Sequence, residues 1–167
     1  DKELTNGVIC SSAGNHAQGV ALAAQRRGIR SAIVMPVTTP SIKVDAVRSL
    51  GGEVTLFGDT YDDAYSHARE LEQKHGFVFI HAFDDPDVIA GQGTIGLEIL
   101  NQASENIDAI FVPIGGGGLI AGIAAYVKEV QPEIRIIGVE PDDSSAMRDS
   151  IEAGEPVVLD HVGIFAD

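Results

Sequence analysis

Cysteine occurs once, at Cys10, tryptophan not at all, and aromatic residues make up only 5% of the chain. A lone thiol allows no internal disulfide, which suits a reducing compartment. With so few large rings, the core has to be built from Val, Ile, Leu and Ala. Basic residues are also scarce. Eleven Lys and Arg stand against 25 Asp and Glu, a formal net charge of -14. Nucleic acid and anionic membranes repel such a chain, so neither is expected as a partner. No apolar run is long enough to span a bilayer, and no signal peptide is recognisable. The expectation is a cytoplasmic protein. His, Cys and carboxylate residues nowhere show metal-ligand spacing. The acidity does not forbid a small anionic ligand, because backbone N–H groups can form a local nest for one.

What the chain does have is 44% hydrophobic residues, enough for a sizeable core, and 19 glycines in 167 residues. Short apolar runs alternate with longer stretches of helical period, the pattern of βαβ units and a parallel sheet. Strands are expected at 7–11, 31–35, 53–57 and 77–80, with helices at 15–27, about 42–50 and about 59–75 between them. Within the first helix Val20, Ala23 and Ala24 form the apolar face, and Gly28 stops it. Ser41 is expected to cap the second, and Asp62-Asp63 to lie at the start of the third. Residues 81–91 break the rhythm with a turn-rich stretch around Pro86. A helix from about Gly93 to Ala103 follows, then a strand at 109–112, a helix to about Val130, a strand at 133–140 and a helix at 144–153. The fold class is therefore α/β, parallel sheets with helices on both faces. A small open-sheet domain at 1–80 is joined through 81–91 to part of a larger domain at 92–167.

Two stretches carry chemistry. Pro113-Ile-Gly-Gly-Gly-Gly-Leu119 lies between a strand and a helix. Ordering four glycines costs about 0.5–1 kcal/mol each against alanine, which some gain must offset. The bare backbone N–H groups of Gly115, Gly116, Gly117, Gly118 and Leu119 can converge at the positive end of the helix dipole and bind a phosphate. No Lys-Ser/Thr ending follows, so no magnesium-bound triphosphate is implied. A tight turn needing glycine for packing is the plainer reading. The second stretch, Ser11-Ser-Ala-Gly-Asn-His-Ala-Gln-Gly19, sets a hydroxyl, an amide and an imidazole (Ser12, Asn15 and His16) at another helix start. That is a seat for a carboxylate, or else a plain N-cap by Ser12 or Asn15. Cys10 reads as a small core residue, and His67 and His75 as solvated. His81 and Asp84 flank the boundary and are more often structural, while His161 stands near the end of the chain.

Ser12-Ala-Gly-Asn-His-Ala-Gln-Gly19, Ile42-Lys-Val-Asp-Ala-Val-Arg48, Val88-Ile-Ala-Gly-Gln-Gly-Thr94, Val112-Pro-Ile-Gly-Gly-Gly-Gly-Leu119 and Gly138-Val-Glu-Pro141 together resemble the threonine deaminase branch of the pyridoxal phosphate enzymes. Serine racemase and tryptophan synthase β belong to the same group. The resemblance covers nearly the whole chain and implies fold type II. It also implies that Gly115 to Gly118, with the N–H of Leu119, hold the cofactor phosphate, and that Asn15 meets the phenolate oxygen of the ring. Ser12, Gly14, Asn15 and His16 would receive the substrate carboxylate in a cleft between domains. The implied reaction is that of a lyase, L-threonine to 2-oxobutanoate and ammonia, in a homo-oligomeric full-length enzyme. Biosynthetic members serve isoleucine formation and carry a regulatory domain.

The family's Schiff-base lysine precedes Ser12 by some tens of residues, whereas Lys2 has no such surroundings, and Lys43, Lys74 and Lys128 read as surface charges. The chain is thus expected to be an internal fragment, inactive alone. A serine-preferring dehydratase of the same family and a non-catalytic phosphate-binding α/β module are the alternatives. Ala13 stands where serine racemases carry a second serine, which disfavours racemisation. Ala146 stands where their metal site has a carboxylate beside the counterpart of Glu140. No tight divalent site is expected, and calorimetric titration with magnesium or calcium should give no strong binding; a tight isotherm lost in Glu140→Gln would contradict this.

Overall fold

The computed structural model describes residues 4–159 and 163. They form two compact units, Asp1–Ala82 and Phe83–Asp167.

The first unit is a four-stranded parallel sheet, β1 (Val8–Ser11), β2 (Ser31–Met35), β3 (Glu53–Leu56) and β4 (Val78–Phe79), in the order β3-β2-β1-β4. Helices α1 (Asn15–Arg27), α2 (Ser41–Ser49) and α3 (Tyr61–His75) connect them. Side chains alternate across a strand, and β1 and β2 use both faces. Val8, Cys10, Ile33 and Met35 pack with Ala17, Val20, Ala21 and Ala24 of α1 and with Val44 and Val47 of α2. Ile9, Ala32 and Val34 meet Ala64 and Ala68 of α3, together with Phe77. Burial on both faces explains why β1 and β2 read as unbroken apolar runs rather than alternating ones. Ala23, expected on the apolar face of α1, is exposed.

The helix ends follow local chemistry. Gly28 and Gly76 close α1 and α3 in the left-handed conformation that glycine adopts without penalty. Thr60 and Asp63 form a reciprocal capping box at the start of α3. Ser41 does not cap α2; it is the first helical residue, behind Pro40.

In the second unit α4 (Pro86–Gln102), α5 (Gly118–Val130) and α6 (Ala146–Ala153) accompany β5 (Ala109–Pro113) and β6 (Arg135–Val139), two parallel paired strands. Helix α4 starts seven residues before the expected Gly93, inside the stretch read as a turn. Asp85 accepts hydrogen bonds from the N–H groups of Asp87 (2.8 Å) and Val88 (3.2 Å). Pro86 takes the first helical position, where its missing N–H has no consequence. Asp-Pro was a helix start. Val112, Ile123, Val127 and Ile134 form the centre of this core, whereas Phe111 on the other side of β5 is 67% exposed.

Helices α4 and α5 meet backbone to backbone. A Cβ on Gly122 would press on the Ile89 carbonyl and stand 2.6 Å from the Gly93 nitrogen, and one on Gly96 would stand 3.3 Å from the Ile123 carbonyl. Gly91, in the same helix, has open space at its Cβ position. Gly122→Ala should therefore cost about 1–3 kcal/mol by overpacking. Gly91→Ala should gain up to about 1 kcal/mol from helix propensity. Urea denaturation of the two variants checks the opposite signs.

Candidate cofactor and substrate site

Both motif helices begin without a side-chain cap and with no acidic residue in the first turn. Helices α3 and α4 in the same chain are capped by Thr60 and Asp85. An open start alone is not distinctive, since α2 lacks a side-chain cap too. The glycine-rich approach sets α1 and α5 apart.

At α5, no protein acceptor among the described residues takes the N–H groups of Gly115, Gly116, Gly117, Gly118 or Leu119. Gly117, the N-cap, sits at φ +88°, a left-handed conformation that favours glycine. A Cβ on Gly115 would point into open space. One on Gly116 would strike the Phe83 ring, and one on Gly118 would come 2.7 Å from the Phe83 carbonyl. The plainer reading of these glycines thus holds in part, since packing against Phe83 demands Gly116 and Gly118. It does not account for Gly115, nor for five donors without a protein acceptor among the described residues, at the positive end of a 13-residue helix. These residues fit a phosphate group. Sequence reading missed Phe83, which no local pattern ties to a loop more than thirty residues away.

At α1 the plain N-cap reading fails. Gly14 is the N-cap, with no side-chain hydrogen bond to the helix. The Ser12 hydroxyl instead accepts the N–H of Gly14 at 3.2 Å, within the loop. Among the described residues the N–H groups of Asn15, His16 and Ala17 have no protein acceptor. Asn15 is exposed, and a Cβ on Gly14 would meet nothing within 4 Å. The loop offers donors without obstruction, which suits a carboxylate. Just before it, Ser11 is buried and its hydroxyl has no hydrogen-bond partner among the described residues.

His16 does not aim its ring nitrogens freely. Nε2 lies 3.1 Å from the Ile80 carbonyl. A carbonyl only accepts, so Nε2 carries the proton and a neutral ring presents a bare Nδ1. Burial lowers the imidazole pKa below its ordinary 6.5; the Ile80 bond opposes this and nearby His81 adds to it. The Cys10 thiol, buried in β1, is pushed up to about 12 by burial, so it is a core residue and not a thiolate nucleophile. His67 is not simply solvated, as expected from its charged helix, but stacks on Phe57 at 4.0 Å and meets Glu70 at 3.2 Å. Lys128 donates to the Pro132 carbonyl at 2.9 Å, and Lys74 is exposed on α3. His161 and Lys2 lie outside the described residues. Among the described residues, no group of three or more His, Cys, Asp or Glu side chains is placed to hold a metal ion. None of the helices described there is long and apolar enough to cross a membrane.

An α/β chain with an uncapped glycine loop fit for phosphate and a second donor-rich turn is of the kind that binds a phosphorylated cofactor. The chain belongs to the pyridoxal-phosphate dependent enzyme family, which matches residues 1–167. It is 63% identical over 165 residues to the biosynthetic, chloroplastic threonine dehydratase of Arabidopsis thaliana, covering 99% of this chain and 28% of that protein. Among solved structures it superposes on the processed form of threonine deaminase isoform 2 from Solanum lycopersicum with a TM-score of 0.93 at 56% identity, covering 99% of this chain and 46% of that one. Maize serine racemase gives a TM-score of 0.92 at 39% identity, covering 98% and 49%. The architecture is that of fold type II. The chain thus spans less than half the length of these relatives.

The depressed His16 pKa has a definite sign in folding. Above pH 6.5 both folded and unfolded states hold a neutral ring, and its contribution is fully present. As pH falls through the lower folded value the unfolded state has already bound a proton, so stability is lost. His16→Gln should flatten this acid-side slope in urea midpoints measured as a function of pH, and an unchanged slope would contradict the assignment.

Proposed function

We propose that this chain is the middle of a pyridoxal-phosphate lyase that deaminates L-threonine to 2-oxobutanoate and ammonia. The observation that carries this reading is the pair of uncapped, glycine-bordered helix starts at 12–16 and 115–119, in a chain 63% identical to a threonine dehydratase.

Gly115 to Gly118 and the N–H of Leu119 hold the cofactor phosphate with backbone donors, so no cation is required there. Asn15 supplies its exposed amide to the phenolate oxygen of the ring. Ser12, Gly14, Asn15 and His16 receive the amino-acid carboxylate. His16 contributes its backbone N–H, because Nε2 is committed to Ile80 and a bare Nδ1 would repel an anion. Bound pyridoxal phosphate supplies an electron sink for loss of the substrate's α-proton and β-hydroxyl. Position 13 is alanine, which carries no proton to the opposite face of the substrate carbon, so deamination is favoured over racemisation. Lys74 and Lys128 are on helix surfaces, and the proton-moving lysine belongs upstream of Ser12. A homo-oligomeric enzyme is part of the same reading, as is a cytoplasmic setting, while the Arabidopsis relative is named chloroplastic.

The test is release of 2-oxobutanoate from L-threonine by the protein at its natural length, with and without pyridoxal phosphate. Turnover should require the cofactor and exceed that of L-serine. Gly115→Asp, which sets a carboxylate in the open mouth of the loop, should lower cofactor affinity at least about tenfold, or 1.4 kcal/mol. Turnover of serine alone would keep the cofactor and discard the substrate. Binding without turnover of any amino acid would leave a phosphate-binding module.

A further inference from the structure

We propose that Glu140 is a positioning residue for the glycine loop, acting through Met147; this rests on reading that loop as the phosphate seat.

Glu140 follows directly on β6, and the glycine loop follows directly on β5. The two strands are paired through Val112–Gly138 and Pro113–Val139, and the Ile114 N–H continues the ladder to the Val139 carbonyl at 2.9 Å. Glu140 and the loop therefore leave the same end of one rigid pair. From there the Glu140 carboxylate spans the start of α6, Oε1 accepting the Met147 N–H at 3.0 Å and Oε2 the Arg148 N–H at 2.9 Å. These are two of the donors that the first turn of a helix leaves without partners, and a negative charge there also meets the positive end of the dipole.

The residue in the ordinary capping position does not do this. Ser145, the N-cap, makes no side-chain bond to the helix N-terminus. Its hydroxyl lies 3.3 Å from both Asp149 oxygens and accepts from Arg148 Nη2 at 2.7 Å. Packing does not fix α6 either. None of its residues is buried, Ile151 is 74% exposed, and a cavity of about 480 Å³ lined by Ile114, Ile120, Ile136 and Met147 lies beside it. The Glu140 clamp thus takes a large share in setting where α6 begins.

That start matters because of Met147. Its Cε lies 2.8 Å from where a Cβ on Gly117 would stand, so the methionine tip rests on the loop residue held at φ +88°. The chain of contacts runs from β6 through Glu140 and the Met147 N–H to the Met147 side chain and Gly117. Moving the N-terminus of α6 moves the support of the loop. The same geometry occupies both Glu140 oxygens with backbone donors, which gives Glu140 a task that needs no metal ion.

The experiment uses the protein at its natural length, stripped of cofactor. Pyridoxal phosphate affinity is measured by equilibrium dialysis, and amide hydrogen exchange is followed in peptides covering 114–121 and 145–153. Glu140→Ala should weaken binding roughly fivefold, the loss of one good cap, and should speed exchange in both peptides. Glu140→Gln, which keeps one accepting oxygen, should fall between. Met147→Ala should weaken binding similarly, and the double variant should be no worse than the poorer single one, because both lie on one path. EDTA should change nothing. Gly115→Asp is the control for the loop itself. If it weakens binding while Glu140→Ala and Glu140→Gln alter only the 145–153 peptide, the positioning role is wrong and the phosphate seat stands. If it too leaves affinity unchanged, the phosphate seat is wrong and the proposal falls with it. If EDTA reproduces Glu140→Ala, Glu140 is a metal ligand and the proposal is overturned. Should Glu140→Ala fail to fold, Glu140→Gln and Met147→Ala carry the same outcomes.

Discussion

A parallel strand hands its chain to a helix that must return over the sheet, so every such connection leaves a helix N-terminus near the strand's C-terminal end. Those first-turn N–H groups have no partner inside the helix and carry the positive end of its dipole. The helices meet this constraint in different ways. Helix α3 satisfies its start with Thr60 and Asp63, and α4 with Asp85. Helix α6 borrows Glu140 from the end of β6. Helices α1 and α5 satisfy theirs with no side chain, and it is there that the motifs resembling a cofactor and substrate site fall. The chemistry proposed for the chain is a use of what these connections leave unpaired.

Glycine serves three purposes along this chain, and they separate only in three dimensions. Gly28 and Gly76 end helices in the left-handed conformation. Gly93, Gly96 and Gly122 let α4 and α5 touch through their backbones. In the loop, Gly116 and Gly118 make room for Phe83, Gly117 takes a positive φ, and Gly115 faces open space. A run of four identical residues therefore does three different things, and only the open one has no internal reason to be glycine. That single position carries more of the case for a ligand than the run as a whole.

Where sequence and structure agree, the signal is local or strictly periodic. Helix α1 and strand β2 fall on their expected ranges because Gly28 and Pro36 punctuate them, and both faces of β1 and β2 are apolar. Where they differ, one residue type has two meanings. Pro86 has the look of a turn residue, although a proline after a capping aspartate opens a helix. Ser12 and Asn15 both have cap chemistry, but the helix begins two residues too late for Ser12 and Asn15 lies inside it. His67 looked solvated on a charged helix until Phe57 came to lie against it. At the candidate site the donor-rich loops were legible as motifs, whereas Phe83 beneath one and Met147 over it were not.

The α/β class, the order of elements and the location of both donor-rich turns were legible in the chain alone. Each of these depends on residues near one another in the chain, through hydrophobic period, glycine, proline and capping chemistry. How each of those turns is supported follows from contacts made in three dimensions. His16 is tied to the Ile80 carbonyl across 64 residues, Gly116 and Gly118 are shaped by Phe83, and Gly117 is overlaid by a methionine whose helix is held by Glu140. Contacts of this kind join positions with no shared periodicity or motif. They arise when strand pairing and helix packing bring remote side chains to one end of a sheet.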